Sequence, residues 1–563
     1  MSLGYNFSAY QTKISSIDAR HFASHPSVMH GEGKFSPTLD EVADRTFDIV
    51  VVGGGIVGAS AAREAAAAGY SVLLAEKDDF ATGSTSRSSR LLHCGLRYFE
   101  TPNPLRHFGL HPGRFLTSLR MAKQAMRERR EMVLTSPERT IPLDFHFPVY
   151  RSGPYKAWQT DLAFRLLGSL APKDVPLDYR NLDPDEALGN PLVAALAQTD
   201  DLISVARFTE YQFNWPERIC MDAILDAEKK GAVVLNYTSA TIGGMAAELR
   251  TVTLTDNVGQ TADVKARRVL SMAGIWIDRL LQQSKPSMPR KVFGTKGAHI
   301  VIRLPDEFRN QGISTLNSEG EPFYCIPWHG LHYIGPTETP FEGDPEDIRV
   351  NHQDFDFLLA EAGKLFPGLN VTARDVLRTW AGVRPLTFDK AHPKGNRSRT
   401  LHDLSGDGLS GVYAMTAAPI MSHRDAGREV VRTLKRTLST AGSQSAPDYS
   451  CPGPIENSNT APIVAGKSDY RLADVRHAVR HEHAKTLMDV LYRRTGLGLH
   501  HDFTDDELSR VAEVMGQELN WSDYRRREEI RMFREQSARL FTLADGRTPK
   551  IGPETDALQQ GER

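Results

Sequence analysis

The chain has 563 residues, of which 40% are hydrophobic and 25% are charged, an ordinary balance that excludes a disordered chain. This length exceeds what one hydrophobic core supports, so we expect two or three domains. A formal net charge of −2 gives no general basis for nucleic-acid binding, and no run approaches the roughly 18 uncharged apolar residues of a membrane span, so a cytoplasmic location is expected.

The first element with a recognisable function is a strand that runs into a glycine-rich turn. Residues 47–58 are apolar up to Val52 except for Asp48, and then carry Gly53, Gly55 and Gly58. These glycines permit a tight turn, a close approach to a pyrophosphate and close packing of the next helix. The helix N-terminus would favour the pyrophosphate, and Glu76 ends a second apolar run where an acid accepts hydrogen bonds from ribose hydroxyls. The pattern predicts a bound dinucleotide.

A hydroxyl-rich loop comes next along the chain. Its candidate contacts to phosphate or ribityl oxygens are Ser84, Thr85, Ser86, Ser88 and Ser89. The alternative is a solvated loop with a helix cap. The loop leads into His93–Glu100, which reads His-Cys-Gly-Leu-Arg-Tyr-Phe-Glu. From Gly53 to Glu100 the sequence resembles the FAD-dependent glycerol-3-phosphate dehydrogenase family, whose matching segment reads His-Gly-Gly-Leu-Arg-Tyr-Leu-Glu, so FAD is the expected cofactor.

Two basic stretches raise the question of membrane contact. The first, within residues 104–135, contains Arg114, Arg120, Lys123, Arg127, Arg129 and Arg130. The second, within residues 155–171, contains Lys156, Trp158, Phe164, Arg165 and Leu166. A solvated helical face is the favoured interpretation of the first stretch, and the alternative is peripheral contact with anionic lipid on the inner face of the cell membrane.

A second cofactor element follows an apolar strand that begins at residue 268. It contains Ala273, Gly274 and Trp276, and the small residues let backbone approach a ligand closely. The family has a similar Ala-x-Gly-x-Trp element near its FAD. The FAD-binding domain is therefore expected to be discontinuous in sequence.

Three kinds of domain are predicted: an α/β Rossmann-like FAD-binding domain, an antiparallel-sheet substrate-binding domain, and an all-α C-terminal domain. Residues 474–495 closely resemble the family's C-terminal helical domain. The histidines at 477, 481 and 483 do not have the spacing of a zinc motif, so no metal is expected. The expected boundaries are an N-terminal extension at 1–46, the FAD-binding domain at 47–290 and 401–440, the substrate-binding domain at 291–400, a linker at 441–468, the helical domain at 469–545 and a tail at 546–563.

The resemblance also selects residues for the reaction. Oxidising a secondary alcohol with a flavin requires a base for the hydroxyl proton, and histidine has a suitable ordinary pKa of about 6.5. His299, in Lys-Gly-Ala-His-Ile-Val, matches the family's Lys/Gln-Gly-Ser-His-Ile-Val and is the candidate base. His93 is a second candidate. The alternative for His299 is a strand histidine held by hydrogen bonds in a core.

An anionic substrate requires fixed cations, preferably guanidinium groups. By the resemblance, Arg384 in Gly-Val-Arg-Pro-Leu and Arg97 in Leu-Arg-Tyr match family arginines, and Arg397 is a looser match. Tyr98 is a further candidate substrate contact. Each arginine is alternatively an ordinary surface or salt-bridging residue.

The last strand-to-helix junction departs from the family pattern. There the family has Gly-Gly-Lys-Leu/Ile-Thr-Thr-Tyr/Phe-Arg, with the lysine helping to hold substrate phosphate, whereas this chain reads Ala-Ala-Pro-Ile-Met-Ser-His-Arg from Ala417. Pro419 thus removes a cation and a backbone donor. Ser422 remains a candidate cofactor contact and His423 a candidate substrate contact.

These features favour an FAD-dependent dehydrogenase or oxidase. Its substrate would be glycerol 3-phosphate or a modified or larger polyol phosphate, and electrons would pass to a quinone or to oxygen. One alternative is an FAD-dependent amine or amino-acid oxidase. Another is a redox-silent, FAD-bearing binding protein. A homodimer is expected, without a nucleic-acid partner.

Overall fold

The computed structural model describes residues 37–99, 108–451, 460–466 and 470–543. Most of the predicted N-terminal extension and the whole predicted tail lie outside these residues. The strands of the described part are β1 Thr46–Val52, β2 Val72–Ala75, β3 Leu91–Leu92, β4 Thr140–Tyr150, β5 Arg180–Leu182, β6 Leu202–Phe213, β7 Val233–Leu235, β8 Thr238–Ala246, β9 Leu249–Asp256, β10 Thr261–Ser271, β11 Val292–Ile302, β12 Gln311–Leu316, β13 Pro322–Trp328, β14 Leu331–Gly335, β15 Thr339–Phe341, β16 Val376–Thr387, β17 Thr400–Asp403 and β18 Val412–Thr416.

The α-helices of the described part are numbered in the same way. They are α1 Leu39–Val42, α2 Ile56–Ala67, α3 Pro112–Thr135, α4 Ala157–Leu170, α5 Pro184–Leu188, α6 Pro191–Ala194, α7 Pro216–Lys229, α8 Ile277–Ser284, α9 His352–Leu365, α10 His423–Leu434, α11 Leu472–His481, α12 Asp505–Leu519 and α13 Asp523–Phe541. A π-helical segment, Asp489–Arg494, lies between α11 and α12. Among the described helices, none is both long enough and apolar enough to cross a membrane.

The first sheet is the predicted Rossmann-like sheet. Its order is β17-β18-β10-β1-β2-β7, and the strands from β18 to β7 run parallel. The strand β1 is almost wholly buried, as expected for a central parallel strand covered on both faces. The alanine-rich helix α2 packs between α7 and α10 on one face. The predicted return of the chain to this sheet near residue 401 is the strand pair β17 and β18.

The second sheet is larger than the predicted substrate-binding range. Its order is β15-β11-β14-β13-β12-β4-β6-β3, with β16 paired to β11. The strands β4 and β6 come from the range 47–290, which the sequence predicted for the first domain, so the sheets do not follow the predicted boundary. The reason is that β4 pairs with β6 and with the distant β12, and the β4–β12 pair is parallel. Such long-range pairing leaves no local signal.

The C-terminal part of the described chain is helical, as predicted. The side chains of α11, α12 and the π-helical segment share one hydrophobic cluster with β4, β6 and β14 of the second sheet. In the basic helix α3, the described arginines and lysine face solvent except Arg129. Arg129 is buried and donates hydrogen bonds to the carbonyls of Val175, Pro176 and Thr209, so it does not belong to a solvated basic face.

Candidate functional site

The glycine turn has the geometry of a ligand-binding loop. Gly53 has a φ of +111°, in the region that favours glycine, and its N–H donates to the carbonyl of Ala75 at 2.9 Å. A Cβ on Gly58 would lie 1.9 Å from the carbonyl oxygen of Gly53. Gly55 caps the N-terminus of α2. The helix start is therefore held close to the end of β1, with its first N–H groups at the turn.

Glu76 stands at the end of β2, next to this turn. One carboxylate oxygen accepts the N–H of Gly54 at 2.7 Å, and the other accepts the N–H of Asp78 at 3.0 Å. Burial raises the pKa of the Glu76 carboxyl to about 7, even though these two hydrogen bonds favour the charged form. Glu76 therefore helps to hold the turn itself, at the position where the sequence predicts a ribose contact.

The hydroxyl-rich loop is an ordered connection. Thr85 Oγ1 accepts the first N–H of α2 at 3.1 Å, and Ser84 Oγ donates to the carbonyl of Val383 in β16 at 2.6 Å. Ser86 donates within the loop, and Ser88 accepts the N–H two residues later at 3.2 Å. The loop thus joins the glycine turn to the second sheet, which argues against a freely solvated loop.

The Ala-x-Gly-x-Trp element also meets the turn. Ala273 and Gly274 follow β10, and a Cβ on Gly53 would come within 3.0 Å of the Ala273 Cα. The ring of Trp276 lies 3.3 Å from the position of a Cβ on Gly83, at the start of the hydroxyl-rich loop. The predicted cofactor elements therefore converge at one place.

The predicted base, His299, lies in β11 and is buried. Its Nε2 is 3.0 Å from Ser89 Oγ, the last hydroxyl of the loop. The ring stacks on Trp380, with centroids 4.9 Å apart, and meets Tyr333 edge to face. Its Nδ1 is buried without a hydrogen-bond partner among the described residues. The loop that contacts the cofactor turn therefore also contacts the candidate base.

The protonation of both candidate histidines differs from the expectation. Burial, followed by the charges of Arg384 and Arg90, lowers the pKa of His299 to about 3. Burial and the nearby Arg97 lower the pKa of His93 to about 4. Both rings are therefore neutral near pH 7, and in this state each is a weaker base than the histidine of ordinary pKa that the sequence predicted.

Three predicted arginines form a cluster, and one of them, Arg384, lies beside His299. The guanidinium of Arg384 lies over Gly297 in β11, two residues before His299, where a Cβ would be 3.0 Å from Nη2. Its Nη1 is buried without a partner among the described residues. Arg97 contacts the buried carboxylate of Glu338 at 3.0 Å, and Arg397 pairs with the same carboxylate.

Glu338 is the main residue of this cluster that the sequence did not predict. It lies in the segment after β14, and although burial favours its neutral form, the charges of Arg397, Arg384 and Arg97 keep its pKa below the ordinary value. A lone acid after a strand has no distinguishing pattern, so only the folded arrangement identifies it. The cluster has three cations and one anion.

The altered junction lies beside the strand that carries Arg384. Ala417 has a φ of +53°, and its N–H donates to the carbonyl of Pro385 at 2.8 Å. Pro419 is exposed and precedes a single turn of 3₁₀-helix. Ser422 is buried at the start of α10, and its hydroxyl donates to the carbonyl of Pro419 at 3.3 Å.

Two predicted substrate contacts have different outcomes in the structure. Tyr98 lies beside His93, with ring centroids 5.6 Å apart. His423 instead lines a small polar cavity together with Arg63 and Arg424. His423 is thus not brought to the arginine cluster, because its position on α10 points it toward α2.

The arrangement fits an FAD molecule. The turn excludes any Cβ at Gly58, the N-terminus of α2 favours a pyrophosphate, and an acid stands beside the turn. Buried nitrogen atoms of His299 and Arg384 lack partners among the described residues, as expected where a ligand completes the site.

Comparison with known proteins agrees with this geometry. The model of the FAD dependent oxidoreductase family matches residues 48–424, and that of the C-terminal domain of alpha-glycerophosphate oxidase matches residues 447–526. The chain is 28% identical over 460 residues to the glycerol-3-phosphate dehydrogenase of Synechocystis sp., covering 78% of this chain and 79% of that relative. It is 27% identical over 431 residues to the aerobic glycerol-3-phosphate dehydrogenase of Bacillus subtilis, covering 76% and 72%.

Solved structures support the fold. The glycerol-3-phosphate dehydrogenase from Bacillus halodurans complexed with FAD has a TM-score of 0.66 at 21% identity, covering 89% of this chain and 96% of that one. The FAD-bound L-alpha-glycerophosphate oxidase from Mycoplasma pneumoniae has a TM-score of 0.55 at 18% identity, covering 73% and 100%. The expected family, fold class and cofactor are confirmed, and the chain belongs to the FAD-dependent oxidoreductase family.

Proposed function

We propose that this protein oxidises the secondary alcohol of a polyol phosphate, either glycerol 3-phosphate or a modified or larger relative. The observation that carries the proposal is the cluster of Arg97, Arg384 and Arg397 around Glu338, with Arg384 lying beside the neutral His299. Guanidinium groups bind a phosphate end, and an imidazole beside them accepts a proton from a hydroxyl. Relatives named for glycerol-3-phosphate oxidation support the same substrate class.

The proposed roles follow from the contacts. Arg384 binds the anionic end through the Nη1 that has no partner among the described residues, while Arg97 and Arg397 raise the local potential. His299 accepts the hydroxyl proton as the C–H bond breaks, because an anion bound to Arg384 offsets the positive charge that helps to lower the pKa of His299. Ser89 together with Trp380 fixes the orientation of the ring. When bound, the flavin supplies the two-electron acceptor.

The residues at the Pro419 junction determine whether the site prefers glycerol 3-phosphate or a modified substrate. The N–H of Ala417 donates a hydrogen bond to the carbonyl of Pro385, so the junction lies next to Arg384 in the structure. Pro419 supplies neither a cation nor an N–H. A charge-assisted hydrogen bond contributes about 1.5–3 kcal/mol, so its loss markedly weakens the binding of a small phosphate substrate. A substrate with further polar groups compensates through other contacts.

The test is anaerobic reduction of the bound flavin, followed by its visible absorbance. The panel contains glycerol 3-phosphate, larger polyol phosphates, and amines or amino acids. We expect polyol phosphates to reduce the flavin, and Pro419→Lys to increase the rate with glycerol 3-phosphate. Pro419→Met is the matched control, because methionine is similar in length to lysine but carries no charge. We expect it to leave that rate unchanged.

Amine or amino-acid oxidation is the second candidate function. It is favoured by Glu338, whose carboxylate among the arginines would bind an ammonium group while Arg384 binds a carboxylate. Reduction by amines alone would replace the leading proposal with this one. A bound flavin that no member of the panel reduces would support the redox-silent alternative.

We further propose that electrons leave to a quinone at the inner face of the cell membrane. An apolar cavity of about 480 Å³ opens between α3 and α4, and its lining includes Phe99, Phe108, Phe115, Phe147, Trp158 and Leu162. Nearby apolar side chains face solvent: Leu110, before α3, is 66% exposed, and Leu116, on α3, is 51% exposed. Arg114, Arg120 and Lys123 on α3 are also exposed. Apolar side chains beside basic ones suit an anionic lipid surface.

Sedimentation with anionic vesicles tests this surface. We expect the protein to bind at low salt and to lose binding with Leu116→Ser and Trp158→Ser together. Met245→Ser is the control, because Met245 is also exposed but lies in β8. Equal binding by the double variant and the wild type would contradict the proposal. Reduction of a quinone carried in the vesicles tests whether a quinone accepts the electrons. Light scattering measures the molar mass and tests the expected homodimer.

A further inference from the structure

The C-terminal helical region reaches the cofactor domain through a buried network of charges. Arg494 makes two parallel contacts with Asp79, Nη1 to Oδ2 and Nη2 to Oδ1, each at 2.8 Å. Arg493 binds the same carboxylate through Nε and binds Asp489 through Nη2 at 2.6 Å. The side chains of Asp79 and Asp489 are fully buried, and those of both arginines are nearly so.

Asp79 belongs to the loop that covers the glycine turn. It lies three residues after Glu76, and the next residue, Phe80, packs so closely on Gly54 that a Cβ there would be 2.7 Å from the ring. The N–H of Ala81 donates to the carbonyl of Gly54 at 3.1 Å. A shift of Asp79 would therefore move Glu76, the glycine turn and the start of the hydroxyl-rich loop together.

A second polar contact holds the same position. Asn236 donates to Asp79 at 2.9 Å and to the carbonyl of His483, before the π-helical segment, at 2.9 Å. Burial opposes ionisation of Asp79, but the charges of Arg494 and Arg493 outweigh burial and keep its pKa below the ordinary value. Buried ion pairs add little net stability compared with apolar packing, so their geometric role is the more informative one.

We propose that the C-terminal helical region is part of the FAD site, and that Arg493 and Arg494 are positioning residues that hold the Asp79 loop against the glycine turn. FAD affinity therefore depends on this network, although none of its residues belongs to the glycine turn or to the hydroxyl-rich loop. The helices beyond residue 470 thus contribute to cofactor binding through the loop after Glu76.

The test compares two breaks in the same interface. Asp79→Asn removes the charge that both arginines bind, and Arg494→Lys keeps the charge but loses the two parallel contacts. The matched control is Arg378→Gln, which breaks the contact of the buried Arg378 in β16 with Asp502 at 2.6 Å, at another place on the C-terminal helical region. FAD is removed from each full-length protein, its dissociation constant is measured by fluorescence titration, and thermal unfolding of the FAD-free form is recorded.

We expect Asp79→Asn and Arg494→Lys to weaken FAD binding roughly tenfold or more, a typical coupling between two sites. Arg378→Gln should lower the unfolding temperature while changing the FAD dissociation constant by no more than about twofold. If Asp79→Asn does not fold, Arg494→Lys alone decides the question. FAD dissociation constants equal to that of the wild type, with lowered stability in all three variants, would overturn the proposal and leave the network a purely structural one.

Discussion

Arg384 gives the most direct prediction about the substrate site. Its Nη1 is buried without a partner among the described residues, and burial together with the charge of Arg97 lowers the pKa of its guanidinium to about 10. The group therefore remains charged near pH 7 and is available to an anion. Arg384→Gln removes this cation while keeping a side chain that packs over Gly297.

The expected effect on catalysis is large, and the effect on folding is small. One charge-assisted hydrogen bond to a phosphate contributes about 1.5–3 kcal/mol, which corresponds to roughly a 10- to 150-fold decrease in kcat/KM. Arg384→Gln leaves no described acid without its partner, so we expect no decrease in the unfolding temperature. Arg397→Gln is the contrast, because it takes one of two cations from Glu338 and should lower stability as well.

Gly297→Ala perturbs the same guanidinium more gently. The added methyl would lie 3.0 Å from Nη2 and 3.1 Å from Nη1 of Arg384, so the group must move by a few tenths of an ångström while its charge remains. Steady-state kinetics with the best polyol phosphate should then show a higher KM and a smaller loss than Arg384→Gln. Unchanged kcat/KM in Arg384→Gln would refute the assignment of Arg384 to the anionic end.

Two further predictions concern stability. Ala417 adopts a left-handed backbone that costs a residue with a side chain about 1 kcal/mol, so Ala417→Gly should raise the unfolding temperature, and a decrease would contradict this account. Burial lowers the pKa of His299 to about 3 and of His93 and His332 to about 4, whereas the unfolded chain protonates near 6.5. The stability that these neutral rings provide is present above pH 6.5 and is lost as pH falls toward 4, by up to about 1.4 kcal/mol per pH unit for each ring. Carboxyls of raised pKa such as Glu76 change stability in the opposite direction over this range, so the test compares the wild type with His332→Gln. Urea unfolding at pH 7 and pH 5 should show a larger loss in the wild type, and an equal change in both proteins would contradict the account.

The cofactor half of the fold was predictable because its signals are local. A buried strand, three glycines and an acid at the end of the next strand lie within 31 residues, from Thr46 to Glu76, and each has its own steric or hydrogen-bonding reason. The second sheet was only partly predictable. Its strand pairs β4–β6 and β4–β12 join segments far apart in sequence, and alternating apolar residues do not say which strand is the partner.

The site was predictable in its residues more than in its electrostatics. His299, Arg97 and Arg384 were selected by resemblance, and the structure places Arg384 beside His299 and Arg97 near Arg384. The sequence contains no sign that His299 is buried beside arginines, so its lowered pKa was missed. The position of His423 was also missed, because which face of α10 meets α2 depends on tertiary packing.

The charges of the arginine cluster give a physical reason for a phosphate substrate without the family lysine. Arg97, Arg384 and Arg397 supply three positive charges and Glu338 removes one, which leaves two. A phosphate monoester carries about −1.5 to −2 near pH 7, so this balance already neutralises it. The absence of the family lysine therefore weakens phosphate binding without excluding a phosphate, and recognition depends on the geometry of Arg384 and on contacts to the rest of the substrate.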